Sequence, residues 1–123
     1  MTPKVRKLIA NRDTHCWHCG STDDLVVHHR KNRGSGGSKN PDINKPQNLI
    51  LVCWRWNSDM ESHYQAAQAS RLWGHKIPSW AEFDTPVFDM YAHHWYVLHE
   101  DGSKRRVETD EGRAVRLLLP DLF

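Results

Sequence analysis

Leu25-Val26-Val27-His28-His29-Arg30, followed about twenty residues later by Asn48-Leu49-Ile50-Leu51-Val52-Cys53 and then by Asn57, is the stretch that decides how this chain reads. Leu25–His29 has the pattern of a strand, and Leu49–Cys53 is a second strand with a continuous apolar run. Successive side chains on a strand point to opposite faces, so His28 and His29 cannot do the same job. Asn57 places a residue able to ligate a metal just beyond the second strand. One histidine can therefore act as a base while the other shares a divalent ion with Asn57.

The rest of the chain arranges itself around these strands. Residues 3–12 carry Val5, Leu8 and Ile9 at helical spacing with Pro3 in the first turn, which predicts a short helix. Cys16-Trp17-His18-Cys19-Gly20 reads as a tight knuckle, and residues 32–46 as a loop rich in Gly, Ser, Asn and Pro. A helix is expected from about residue 58 to 72, with Met60, Tyr64 and Ala67 as its apolar stripe. Asn57 and Glu61 fall four apart beside that stripe. Gly74 and Pro78 end it, and residues 78–86 form a connector. Residues 95–98 and 105–107, joined through Asp101-Gly102, read as a hairpin. The tail at residues 113–119 is apolar and suits a last strand or a short helix.

Composition bounds the answer. The 123 residues allow one domain, and 38% hydrophobic residues with six tryptophans allow a small core. The fold class expected is α+β, with a core over residues 1–78 and an extension over 79–123 in the same compact domain. That extension completes the core, pairs subunits or docks a partner. A net charge of +2 does not by itself argue for nucleic acid. Its distribution says more, because Arg30, Lys31, Arg33, Lys39 and Lys45 face only Asp42 between residues 30 and 45. Such a run is ordinarily a solvated loop; beside a phosphodiester site it becomes a phosphate-contact surface. No stretch approaches the length of a membrane span and the N-terminus lacks a signal-peptide apolar region, so a soluble, cytoplasmic protein is expected. There, three cysteines favour metal or free thiols over disulfides.

Cys16-x-x-Cys19-Gly20, His28-His29-Arg30, Gly34-Ser35-Gly36-Gly37-Ser38, Asn48-Leu49-Ile50-Leu51-Val52-Cys53 and Asn57 with Glu61-Ser62 together resemble the HNH endonuclease family, the ββα-metal nucleases. The likeness covers roughly residues 12 to 75 and is greatest to the small stand-alone HNH proteins that bacteriophages encode near their DNA-packaging genes. It implies a ββα-metal core over about residues 25–72 and a DNA endonuclease with one divalent ion. By this resemblance His29 matches the general base and His28 a metal ligand. Asn48 matches the residue that braces the loop and orients the base, and Asn57 the final ligand, which makes an HNN variant. Glu61, one turn on, is a candidate third ligand or holds a metal-bound water; a solvated helix carboxylate is the plain alternative. Asn57 as a mere helix N-cap is the plain alternative for that residue. Arg30, Lys31, Arg33 and Lys39 are candidate DNA contacts. The implied partners are DNA and phage terminase subunits, with the chain a monomer or homodimer in the host cytoplasm.

The chemistry suits those residues. A divalent ion offsets charge growing on a phosphodiester and its leaving oxygen. A neutral Asn carbonyl oxygen tilts the ion toward Mg²⁺ or Mn²⁺ rather than Zn²⁺. Histidine's ordinary pKa of about 6.5 leaves it neutral, and so able to accept a proton, near pH 7. The second pair, His93-His94, has no matching downstream run and is expected at the surface. One departure matters: relatives with two Cys-x-x-Cys knuckles hold a structural zinc, but here the second reads Cys53-Trp54-Arg55-Trp56. Cys16, Cys19 and Cys53 then need a fourth donor, such as His15 or His18. The preferred expectation is loss of zinc, with Trp56 packed into the space and the cysteines acting as small hydrophobes. A non-catalytic module that binds nucleic acid or terminase on the same scaffold is the alternative function.

Overall fold

The structure, a computed structural model, describes residues 1–32 and 40–108; Arg33, Lys39, the motif at residues 34–38 and the tail at residues 113–119 lie outside them. Among the described residues the chain is a small α+β fold with three helices and two antiparallel sheets. No helix among them is long and apolar enough to cross a membrane.

Helix α1 (Pro3–Asp13) starts where expected, with the Thr2 hydroxyl accepting from the Val5 amide and Pro3 in the first turn. It ends at Thr14, which takes a left-handed conformation. Strand β1 (Leu25–His29) pairs antiparallel with β2 (Leu49–Cys53), setting His28 opposite Ile50 and His29 opposite Leu49. Paired residues share a face, so the two histidines part company as the strand parity requires. Ile50 and Val52 join the main core with Trp17, Trp56, Phe88 and Leu98, while Leu49 and Leu51 pack on Ile9 of α1. Burial of β2 on both faces explains its unbroken apolar run. Its outer edge is covered too: Asp13 Oδ2 accepts from the Leu51 amide at 2.9 Å, and the Leu51 carbonyl accepts from Trp17 at 3.1 Å.

Helix α2 (Trp54–Ser62) begins directly after β2, capped by the Cys53 sulfur, which accepts from the Trp56 amide at 3.3 Å. The single helix expected from about residue 58 therefore starts four residues early, and it breaks at His63 before α3 (Tyr64–Leu72). At the break the Ser62 hydroxyl donates to the Ser58 carbonyl at 2.7 Å, competing with the ladder bonds of that turn. Asn57 thus sits inside α2 and is not an N-cap.

A three-stranded sheet follows in the order β3 (Val87–Asp89), β4 (His94–Leu98), β5 (Lys104–Val107). The β4–β5 hairpin is the expected one; β3 is not, because three residues after a connector carry too little pattern to read. Val87, Phe88 and Leu98 are buried in the main cluster, so the extension completes the core. The outer edge of β3 is occupied: Phe88 donates to the Trp73 carbonyl at 2.8 Å and Met90 to that of Trp17 at 2.9 Å. His93 is exposed, as expected, and His94 half-buried.

Arg30 corrects its assignment as a DNA contact. Its side chain is buried, and the guanidinium donates to the carbonyls of Gly74 (2.9 Å), Gln47 (3.1 Å), Phe83 (3.3 Å) and Thr85 (2.6 Å). Lys31 is corrected likewise: it is buried, with its ammonium 4.0 Å from the centre of the Phe83 ring. Gly74 makes the turn that presents its carbonyl to Arg30; its φ is +72°, and a Cβ there would overlap the Pro86 carbonyl oxygen. An ammonium cannot reproduce the planar fork across four carbonyls. Arg30→Lys is therefore expected to lower stability by at least about 2 kcal/mol, read as a lower urea midpoint; a midpoint equal to wild type would refute the clamp.

Candidate functional site

His28 is buried and held from two sides. Its Nε2 lies 2.8 Å from the His75 backbone carbonyl and must donate to it, which leaves the lone pair on Nδ1. Nδ1 lies 3.2 Å from Asn57 Oδ1 on α2. Burial pushes the His28 pKa down to about 4, against the opposing pull of the bonds to His75 and Asn57. The ring is thus neutral near pH 7, the form that ligates metal. The separation of Nδ1 from Asn57 Oδ1 is within hydrogen-bonding distance, and it is also close to the about 3 Å between donors in adjacent positions on an ion about 2.1 Å away. The carbonyl behind His28 fixes ring orientation as outer-shell partners do at metal sites.

His75 went unnoticed in the sequence, yet it anchors this corner. Its own ring is fully buried, accepts from Trp56 Nε1 at 3.0 Å and donates through Nε2 to the Phe88 carbonyl at 2.8 Å. Burial drives its pKa to about 3.

His29, on the opposite face of β1, lies 2.8 Å from Asn44 Oδ1 through Nε2, an interaction that sequence reasoning missed. With Nε2 donating to that oxygen, Nδ1 carries the lone pair. Asn48 acts one step further back. It is fully buried, accepts from the Lys31 amide at 2.7 Å and donates to the Ile43 carbonyl at 2.8 Å, pinning the peptide just before Asn44. The expected loop bracing is present, and the direct hold on His29 comes from Asn44. No local pattern marks Asn44, since any polar loop residue within reach could take that place. His29 borders a cleft of about 720 Å³ that is also lined by Glu61, Arg71, Lys76 and Trp80. Glu61 is exposed, paired with Lys76 at 3.1 Å, and near enough to His28 for its charge to favour the protonated ring.

The thiols of Cys16, Cys19 and Cys53 lie within 4.8 Å of one another and could hold a metal ion. Cys19 Sγ to Cys53 Sγ is 3.8 Å, and the edge of a tetrahedral zinc–thiolate site with bonds of about 2.3 Å is also about 3.8 Å. The His18 amide donates to Cys16 Sγ and the Trp56 amide to Cys53 Sγ, each at 3.3 Å. Burial raises the Cys16 thiol to about 11. At Cys19 burial also pushes upward but is outweighed by bonds from the Ser21 backbone and the neighbouring thiols, so its pKa falls. The view of these residues as small buried hydrophobes fits Cys16 and in part Cys53, which packs half-buried against the main cluster, but not Cys19, which is exposed. Neither proposed fourth donor joins them: His15 Nε2 is 2.7 Å from buried Asp89, and His18 stacks on Trp56 at 3.8 Å with 4° between the planes. Trp56 is itself buried.

No family model, curated protein or solved structure matches this chain.

Two expectations follow from these geometries. Cobalt(II) added to the reduced protein should give thiolate-to-metal charge-transfer absorption saturating near about one equivalent, and Cys53→Ser should remove most of it. A spectrum without that band would show that the three thiols do not act together. Separately, His28 and His75 stay neutral in the fold down to about pH 4 and about pH 3. The unfolded chain takes up those protons near about pH 6.5, so the unfolded state binds more protons below that point. Stability measured in EDTA should therefore fall progressively from about pH 6.5 to about pH 4; a level melting temperature over that window would contradict burial of two neutral rings.

Proposed function

We propose that this chain is a metal-dependent DNA endonuclease of the HNH type, with the ββα-metal core over residues 25–72. The observation that carries the reading is the approach of His28 Nδ1 to Asn57 Oδ1 at 3.2 Å, with His28 Nε2 already committed to the His75 carbonyl. Two atoms that both present lone pairs face each other at the spacing of neighbouring ligands on one cation. With the Asn57 amide turned over the two could instead bond directly, and metal titration separates these cases.

The donor set, one neutral imidazole and one amide oxygen, suits Mg²⁺ or Mn²⁺ and leaves room for water and phosphate. When bound, such an ion supplies charge stabilisation at the phosphate and its leaving oxygen. The chain's residues do the rest. His29, held at 2.8 Å by Asn44, acts as the general base that accepts a proton from the attacking water. Asn48 keeps the loop that carries Asn44 in place. The His75 carbonyl holds His28 in the tautomer that exposes Nδ1. Glu61, paired with Lys76, is the candidate third ligand or the group that holds a metal-bound water.

Supercoiled plasmid should be nicked in the presence of Mg²⁺ or Mn²⁺ and spared in EDTA. His29→Ala should slow cutting by about a hundredfold or more with the circular dichroism unchanged, and Asn57→Ala should raise the metal concentration needed for half-maximal rate. Wild-type-like cutting by His29→Ala would remove the general-base role. Failure of the wild-type chain to cut under any divalent metal would leave a binding module on the same scaffold.

A further inference from the structure

Trp80 is 83% exposed, the highest value among the large hydrophobic side chains described. Scattered exposed aromatics are common and by themselves mean nothing. This one is placed differently. It sits in a turn closed by the Ala81 amide donating to the Pro78 carbonyl at 3.0 Å, and it lines the same cleft as His29. Pro78 and Pro86 stiffen that wall. Two cations share the cleft: Arg71, exposed and without an ion pair among the described residues, and Lys76, 3.1 Å from Glu61. Arg30 borders it as well, but its donors are spent on carbonyls.

We propose that this cleft binds an unpaired nucleobase stacked on Trp80, with the flanking phosphates held by Arg71 and Lys76, so that the favoured substrate is DNA with single-stranded character beside the cut. The proposal deepens the nuclease reading and rests on it for the phosphate that lies next to His29. In an intact duplex the base faces are covered by their neighbours, and a lone exposed indole has nothing to stack on. An unpaired base presents its face to such a platform, and a rigid turn loses little conformational freedom on binding. The acidic groups at the cleft, Glu61 and Asp84, work against the phosphate backbone. The arrangement therefore favours a local contact of a nucleotide or two over a long electrostatic track.

The test measures binding without cutting. Fluorescence anisotropy in EDTA compares a labelled single strand, a duplex with a 3′ overhang and a blunt duplex of the same sequence. The single strand and the overhang should bind more tightly than the blunt duplex. Trp80→Ala should weaken single-strand binding by about tenfold or more and Trp80→Phe by no more than about threefold. Arg71→Ala should reduce the salt dependence by about one phosphate contact. Thermal stability should not change in any of these variants, since both side chains are exposed. Single-strand binding that is unaltered by Trp80→Ala, or blunt duplex bound as tightly as single strand, would overturn the proposal; in the first case the tryptophan belongs to a protein contact. Plasmid nicking by the wild-type protein, measured beside these binding assays, keeps the two ideas apart. Nicking with no Trp80-dependent binding sinks the stacking platform alone, and Trp80-dependent binding with no nicking under any metal sinks the nuclease reading alone.

Discussion

The guanidinium of Arg30 is the interaction on which the rest of the molecule depends. It is a buried charge with no carboxylate paired to it among the described residues, stabilised by carbonyls from Gln47, Gly74, Phe83 and Thr85. Such a group adds little net stability when satisfied, because desolvation offsets most of the gain, yet removing its donors leaves several buried carbonyls unmet. Its value here is positional. Arg30 directly follows the histidine pair, its amide donates to the Asn48 carbonyl at 2.8 Å, and its own carbonyl accepts from Ile77 at 3.0 Å. One residue thus ties the end of β1 to the loop before β2, to the turn after α3 and to the connector that walls the cleft.

Much of the local structure was legible because it is written in short-range pattern. The two strands, α1 with its Thr2 cap and the β4–β5 hairpin follow from periodicity and turn chemistry. The opposite orientation of His28 and His29 follows from strand parity alone. What escaped depends on partners distant in the chain. Arg30 looked like a phosphate contact because a basic residue in a polar stretch ordinarily faces water, and its carbonyl partners come from as far away as Thr85. His75 and Asn44 each act through one contact that no spacing announces. The early start of α2 hinges on Cys53 serving as cap, which propensity does not suggest, and that shift is what moved Asn57 from a helix end to the inside of a turn.

Trp56 joins two parts of the molecule. Its indole stacks on His18 within the first knuckle and donates to His75, whose carbonyl in turn receives His28. The indole is a rigid aromatic strut running from the cysteine cluster to the His28–Asn57 pair. The main cluster that contains Trp56 also draws on Val87, Phe88 and Leu98, so apolar burial supports this corner independently of any ion.

The three-stranded sheet has one further consequence. β3 has its outward amides spoken for by Trp73 and Trp17, leaving β5 as the other margin among the described residues. That margin is written Lys104-Arg105-Arg106, with the Lys104 ammonium lying 4.7 Å from the centre of the Tyr96 ring. A second molecule attempting to extend the sheet there would set like charges against like along the new ladder, a common guard against uncontrolled polymerisation. The charges along β5 thus work against adding a strand of the same kind through this hairpin.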